Sequence, residues 1–259
     1  MLINTPAELA AHLQQLHAER APFQTLQLAG RPLDMAQAYR VQDALVDAMC
    51  RGGDRVAGYK IGLTSPAMQQ MCGIASPVHG RILASRVYQS GQALPLAQYV
   101  RLGLEFEIVV RLGRDVRDPP ATAEALGPWV DAIAPAFELI EDRDADYAIL
   151  DAASLVADNA WSAGLVHGTW QTPPTDLPAR TGRIHVDGVL HEEGRVGDAF
   201  GHPFASVLWL AQALVERGHY LRAGDLLMTG SIVRTQFPKA PGPWRYAVDG
   251  LGDVRLELR

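Results

Sequence analysis

The sequence predicts an α+β protein, with a helical N-terminal segment over residues 1–78 packed on a mostly β core over residues 79–259 in one compact unit. Three observations carry that prediction. Helix-start signals with a helical apolar repeat crowd the first third of the chain. The apolar repeat shortens to two from about residue 80. No Pro/Ser-rich linker separates the two parts.

The elements follow in order. Thr5-Pro6-Ala7-Glu8 is a capping box with Pro at the first helical position, and Leu9, Leu13 and Leu16 form the apolar side of the helix it opens. A second helix starts at Asp34, with Gln37 three residues on, and stops at Gly52-Gly53. A short third helix runs from Ser65-Pro66 to Cys72 and ends at Gly73. Leu104 to Val110 alternates and then becomes continuously apolar, as a partly buried strand does. Ile184 to Leu190 holds Asp187-Gly188, the pair that suits a type I′ hairpin turn. Leu226–Ile232 and Val254–Leu258 read as further strands. Between them and the hairpin a helix spans Pro203 to Arg217, closed by Gly218.

The 259 residues are 48% hydrophobic and 20% charged, the balance of an ordinary globular domain. A net charge of −6 without any Lys/Arg stripe argues against nucleic acid as a partner. The most apolar stretch, Phe204 to Val215, falls short of the roughly 20 residues that cross a bilayer. No basic stretch followed by an apolar run opens the chain, and Cys50 and Cys72 make neither a disulfide framework nor a CxxC site. A reducing cytoplasm is the expected compartment.

Four segments stand out chemically. Glu105 and Glu107 alternate with Leu104, Phe106 and Ile108, so both carboxylates share one strand face. Such a face is either solvated or, where buried, needs a cation, for which a hard divalent ion is the natural choice. Glu138 sits in the apolar run Ile133 to Ile140, as a third acidic ligand or as a strand-end residue beside an acidic loop. Lys60, flanked by Gly58-Tyr59 and Ile61-Gly62, is either a desolvated proton-transfer group or a surface lysine. Asn159, within Val156 to Gly164, either presents its amide to a cleft or closes its own Asx turn. No GxSxG, HExxH, GxGxxG or phosphate-loop pattern is present, and the histidines lack metal-ligand spacing.

Taken together and in order, these segments resemble the 2-keto-4-pentenoate hydratase and 4-oxalocrotonate decarboxylase family of the fumarylacetoacetate hydrolase superfamily. The resemblance rests on Gly58 to Gln69, on Leu104-Glu105-Phe106-Glu107, on Pro135-Ala136-Phe137-Glu138 and on Val156 to Ala160. It extends through Leu221-Arg222-Ala223-Gly224-Asp225, Thr229-Gly230-Ser231 and Gly250-Leu251-Gly252, and so covers nearly the whole chain. It implies a mixed β-sandwich roll behind the helical segment, and Mg²⁺ or Mn²⁺ held by Glu105, Glu107 and Glu138. It further implies catalysis by Lys60, substrate contacts from Asn159, Ser162 and Ser231, and a homo-oligomer able to associate with a pathway partner enzyme.

The activity so implied is hydration of 2-hydroxypenta-2,4-dienoate, or a close 2-oxo acid, to a 4-hydroxy-2-oxo acid in aromatic meta-cleavage. A 4-oxalocrotonate-type decarboxylase, an acylpyruvate-type C–C hydrolase and a non-catalytic metal-bound subunit are the alternatives. Two departures bear on the choice. Many family hydratases carry an acid two positions before the glycine that is Gly80 here, where this chain has Val78-His79-Gly80-Arg81. The acid's role is then vacant or passes to His79, which makes His79 a second catalytic candidate and the base a hydrolase needs. Trp161 replaces a usually small residue, implying a narrower pocket. Arg81, Arg143 and Arg234 are each either a surface or ion-pair residue or a partner for a distal carboxylate, the first being the commoner case.

Overall fold

The computed structural model describes residues 3–259. Five helices, α1 (Pro6–Ala18), α2 (Met35–Cys50), α3 (Pro66–Met71), α4 (Ala152–Ala157) and α5 (Pro203–Glu216), accompany the strands. These are β1 (Gln27–Leu28), β2 (Arg31–Pro32), β3 (Val56–Gly62), β4 (Val78–Leu83), β5 (Val87–Gln89), β6 (Gln92–Leu94) and β7 (Leu102–Leu112). They continue as β8 (Val130–Glu141), β9 (Ser162–His167), β10 (Thr181–Val186), β11 (Val189–Arg195), β12 (Leu226–Met228), β13 (Gly242–Val248) and β14 (Gly252–Leu258).

The α+β class follows the sequence closely, because its start signals are satisfied side chain by side chain. Thr5 and Asp34 each accept from the residue three on, and Glu8 and Gln37 return the bond. Ser65 Oγ accepts the Met68 N–H and so opens α3. Asp187 and Gly188 both hold positive φ, as the type I′ turn between β10 and β11 requires.

Strands order as β4-β3-β12-β7-β8-β9-β5 in a seven-stranded sheet and β11-β10-β13-β14-β6 in a five-stranded one, both with parallel and antiparallel pairs. Phe106, Phe137, Tyr246 and Leu210 share the buried core that the two sheets and α5 enclose. A second core joins α1, α2 and α4 to Leu63, Val78 and Trp161. The sheet crosses the expected 78/79 division, because β3, from the N-terminal segment, lies between β4 and β12. Gly58 permits that contact: a Cβ there would stand 1.9 Å from the Leu226 carbonyl oxygen. The strand expected over Leu226–Ile232 ends at Met228, since Gly230 takes a φ of +107 and turns the chain across β7. Among the described residues no helix is long and apolar enough to cross a membrane.

Candidate metal centre and its lysine

β7 and β8 pair antiparallel with Glu105 opposite Glu138 and Glu107 opposite Ala136. Opposed residues share a face, so the three glutamates stand together on the side of the ribbon turned away from Phe106 and Phe137. A carboxylate oxygen from each lies within 4.8 Å of the others. Val109, Ala134, Ala136 and Met228 form a buried apolar floor on the same face. Glu107 and Glu138 are fully buried, and Glu105 is half-buried.

Each glutamate is held from a different element. The Gly230 N–H donates to Glu107 Oε2 at 2.8 Å, and Thr235 Oγ1 donates to Glu105 Oε1 at 2.6 Å. Lys60 Nζ lies 2.8 Å from Glu138 Oε1, with the lysine 4% exposed. β3 brings it there: Lys60 pairs with Gly80, and the missing side chain at Gly80 admits the Asn159 carbonyl that a Cβ would strike at 2.3 Å.

Burial and like charge set the proton affinities. Desolvation raises the Glu107 pKa well above the carboxylate range, and the Glu138 and Glu105 charges push it further. Desolvation lifts Glu138 to about 7 despite the opposing Lys60 ammonium. Burial works to lower the Lys60 pKa, but the three glutamates outweigh it and hold the ammonium charged. Glu107 Oε1 and Glu138 Oε2 are buried without a hydrogen-bond donor. Three converging carboxylates with uncommitted oxygens, on an apolar floor, form an all-oxygen donor set of the kind hard divalent cations take.

The other expected site residues go elsewhere. His79 pairs with Ile61, one step out of phase with Lys60, so its ring occupies the opposite face of the sheet. There it stacks on Tyr39 of α2 at 4.5 Å, and burial drives its pKa down to about 3. Val78, by contrast, shares the Lys60 face. A Cβ built on Gly62 would touch both Lys60 Nζ and Val78 Cγ2 at 3.5 Å. Asn159 spends its amide on β4: its Oδ1 accepts the Arg81 N–H at 2.7 Å and its Nδ2 donates to the Arg81 carbonyl at 2.8 Å. Ser231 Oγ accepts the Phe106 N–H at 2.9 Å, which pins the turn carrying Gly230. Ser162 lines a cavity that Glu105, Glu107 and Glu138 do not line, and Trp161 lines the same one. Arg81 and Arg143 are ion-paired to Asp43 and Asp158. Sequence reasoning missed Gly230 and Thr235 as ligand-holding groups. The Thr-Gly-Ser run was visible, but nothing local says which carboxylate its backbone meets.

Residues 82–257 match the family described as "Fumarylacetoacetate (FAA) hydrolase C-terminal". The chain belongs to the fumarylacetoacetate hydrolase family. Within it, the chain is 34% identical to a 2-keto-4-pentenoate hydratase of Paraburkholderia phymatum over 258 residues, covering 98% of each. It is 31% identical to a 4-oxalocrotonate decarboxylase of a Pseudomonas species over 80% of each chain. The structure of 4-oxalocrotonate decarboxylase from Pseudomonas putida G7, complexed with magnesium and adipate, superposes with a TM-score of 0.91 at 25% identity, over 98% of this chain and 97% of that one. Family membership accounts for the mixed sheets behind a helical segment that the sequence led us to expect.

Proposed function

We propose that this protein is a divalent-metal-dependent hydro-lyase that hydrates 2-hydroxypenta-2,4-dienoate, or a close 2-oxo acid, to the 4-hydroxy-2-oxo acid. The observation that carries the proposal is the Lys60–Glu138 ion pair inside the Glu105/Glu107/Glu138 cluster. The named hydratases among its relatives support the substrate class. Glu105, Glu107 and Glu138 would hold Mg²⁺ or Mn²⁺, which when bound supplies Lewis acidity toward the carboxylate and 2-oxo oxygens of such an acid.

The chain's own residues supply the rest. The reaction moves one proton from the 2-hydroxyl to C5 of the dienol, then adds water across C3–C4 with hydroxyl to C4 and proton to C3. Lys60 is charged and fixed by Glu138, so it can deliver a proton at a defined place. The buried floor of Val109, Ala134, Ala136 and Met228 excludes water from the side of the sheet beneath the glutamates.

Decarboxylation of 4-oxalocrotonate is the second reading. What favours it is Val78, an apolar side chain on the Lys60 face where many hydratases of the family place an acid. The C–C hydrolase reading needed His79 as its base, and the placement of that ring behind the sheet speaks against it. The free Cys50 and Cys72 support a reducing cytoplasm. A homo-oligomer able to meet a pathway partner enzyme remains our proposal for its assembly.

The test supplies purified protein and Mg²⁺ or Mn²⁺ with 2-hydroxypenta-2,4-dienoate and, separately, with 4-oxalocrotonate. Metal-dependent loss of the dienol absorbance without CO₂ supports the hydratase. CO₂ from the dicarboxylate installs the decarboxylase instead, and inertness toward both overturns the reading.

A further inference from the structure

Residues 229–236 follow β12 and run beside β7 as a strap tied to its backbone. Thr229 Oγ1 donates to the Ile108 carbonyl at 2.8 Å, and the Ile232 N–H donates to the Phe106 carbonyl at 3.0 Å. Ser231 Oγ takes the Phe106 N–H, and Gln236 exchanges backbone bonds with Leu104 at 2.8 and 2.9 Å. These ties fall on residues 104, 106 and 108, so the strap also meets the two glutamates between them. The Gly230 N–H holds Glu107 Oε2, and Thr235 Oγ1 holds Glu105 Oε1. The Thr235 methyl packs where Gly103 has no side chain, since a Cβ there would stand 2.9 Å from Cγ2.

Each carboxylate is thereby divided. The strap holds one oxygen of Glu105 and one of Glu107, and Lys60 faces one of Glu138. A glutamate held in this way offers a cation its other oxygen, because gripping the ion with both would turn the carboxylate off its donor. Packing already prevents that turn at Glu107 and Glu138, which are fully buried. Glu105 is only half-buried, and the Thr235 hydroxyl is the side-chain group that stops it. The distinction matters to the ion. Mg²⁺ needs a near-octahedral shell of single oxygens at about 2.0–2.1 Å, whereas Ca²⁺ takes about 6–8 oxygens at longer range and often grips a carboxylate through both. Mn²⁺ takes the same oxygen octahedron as Mg²⁺. We propose that Thr235 is a positioning residue that, by fixing Glu105 as a one-oxygen ligand, selects ions of the Mg²⁺ and Mn²⁺ class against Ca²⁺. The proposal rests on the metal-centre reading given above.

The test strips the full chain of metal, loads it with Mn²⁺ and follows free Mn²⁺ by electron paramagnetic resonance while Ca²⁺ is titrated in. Native protein is expected to bind Mn²⁺ at least about tenfold more tightly than Ca²⁺. Thr235→Val keeps the side-chain shape and loses the donor. It is expected to weaken Mn²⁺ about tenfold, the usual weight of a group that orients a ligand, and to leave Ca²⁺ within about twofold. The preference then collapses, and Thr235→Ser, which keeps the hydroxyl, restores it. Thr235→Ala takes the place of Thr235→Val if that variant fails to fold. An unchanged ratio of the two affinities in the folded variant, whether both ions weaken together or neither does, overturns the proposal. So does native protein that binds Ca²⁺ as tightly as Mn²⁺. Native protein that takes up no Mn²⁺ overturns the metal-centre reading itself, and the proposal with it.

Discussion

Replacing Lys60 by Met removes the ammonium that stands 2.8 Å from Glu138 and faces Glu105 and Glu107. At that distance, with an effective dielectric of about 20, the attraction lost is about 6 kcal/mol before the lysine's own desolvation is set against it. The variant can limit its loss by protonating one carboxylate. From the ordinary glutamate value of 4.5, holding that proton at about pH 7.5 costs about 4 kcal/mol. We therefore expect Lys60→Met to lose about 3–4 kcal/mol in EDTA at that pH, within the range for breaking a buried ion pair. For a domain of this size, that lowers the melting temperature by about 6–16 °C. The deficit shrinks as pH falls toward about 5, where protonation is nearly free. Mg²⁺ narrows it at neutral pH by supplying the missing positive charge. The assay is a pair of melting curves, with EDTA and with Mg²⁺, across that pH range. A variant that melts within about 2 °C of the native protein in EDTA, and ignores the cation, would refute the reasoning.

Three other expectations come from residues placed away from the glutamates. His79 has a folded pKa of about 3 against 6.5 when free, so the unfolded chain binds the extra proton and stability falls as pH drops through that window. The slope from this one group is about 1.4 kcal/mol per pH unit below 6.5 and vanishes above it. His79→Leu should flatten that limb in chemical denaturation and keep turnover within about threefold; abolished turnover would return His79 to the catalytic machinery. Asn159→Ala strips the buried Arg81 N–H and carbonyl of their partner and should cost about 2–4 kcal/mol by urea unfolding. A selective rise in KM without loss of stability would show substrate contact instead. Gly58→Ala drives a Cβ into the Leu226 backbone and should cost at least about 3 kcal/mol or prevent folding, read from soluble yield and melting. An unchanged melting temperature would contradict the close β3–β12 approach.

What the sequence disclosed divides along a physical line. Local chemistry was legible: the Thr5 and Asp34 capping boxes, the Ser65 cap and the Asp187-Gly188 turn each act within a few residues, and each is in place. The shared face of Glu105 and Glu107 follows from strand alternation alone, whereas their convergence with Glu138 depends on a register that no local pattern encodes. Phase explains His79. It neighbours the right strand pair, but its offset of one residue from Gly80 turns it to the other face. Asn159 and Ser231 carry hydrogen-bonding groups in a suggestive neighbourhood, yet backbone N–H groups from distant strands take them up first. Residues 56–62 read as part of a helical segment because the strand is short and broken by Gly58 and Gly62. The sheet claims it through pairing with β4 and β12, both far along the chain.

The central claim is that Glu105, Glu107 and Glu138 together hold one divalent cation beside Lys60. Titration of the metal-stripped protein with Mn²⁺, followed by electron paramagnetic resonance and calorimetry, tests it most directly. The account predicts one tight ion per chain in the native protein, with affinity reduced at least about tenfold in each of Glu105→Gln, Glu107→Gln and Glu138→Gln. An ion bound with unchanged stoichiometry and affinity in Glu107→Gln and Glu138→Gln would place the metal elsewhere and contradict the account.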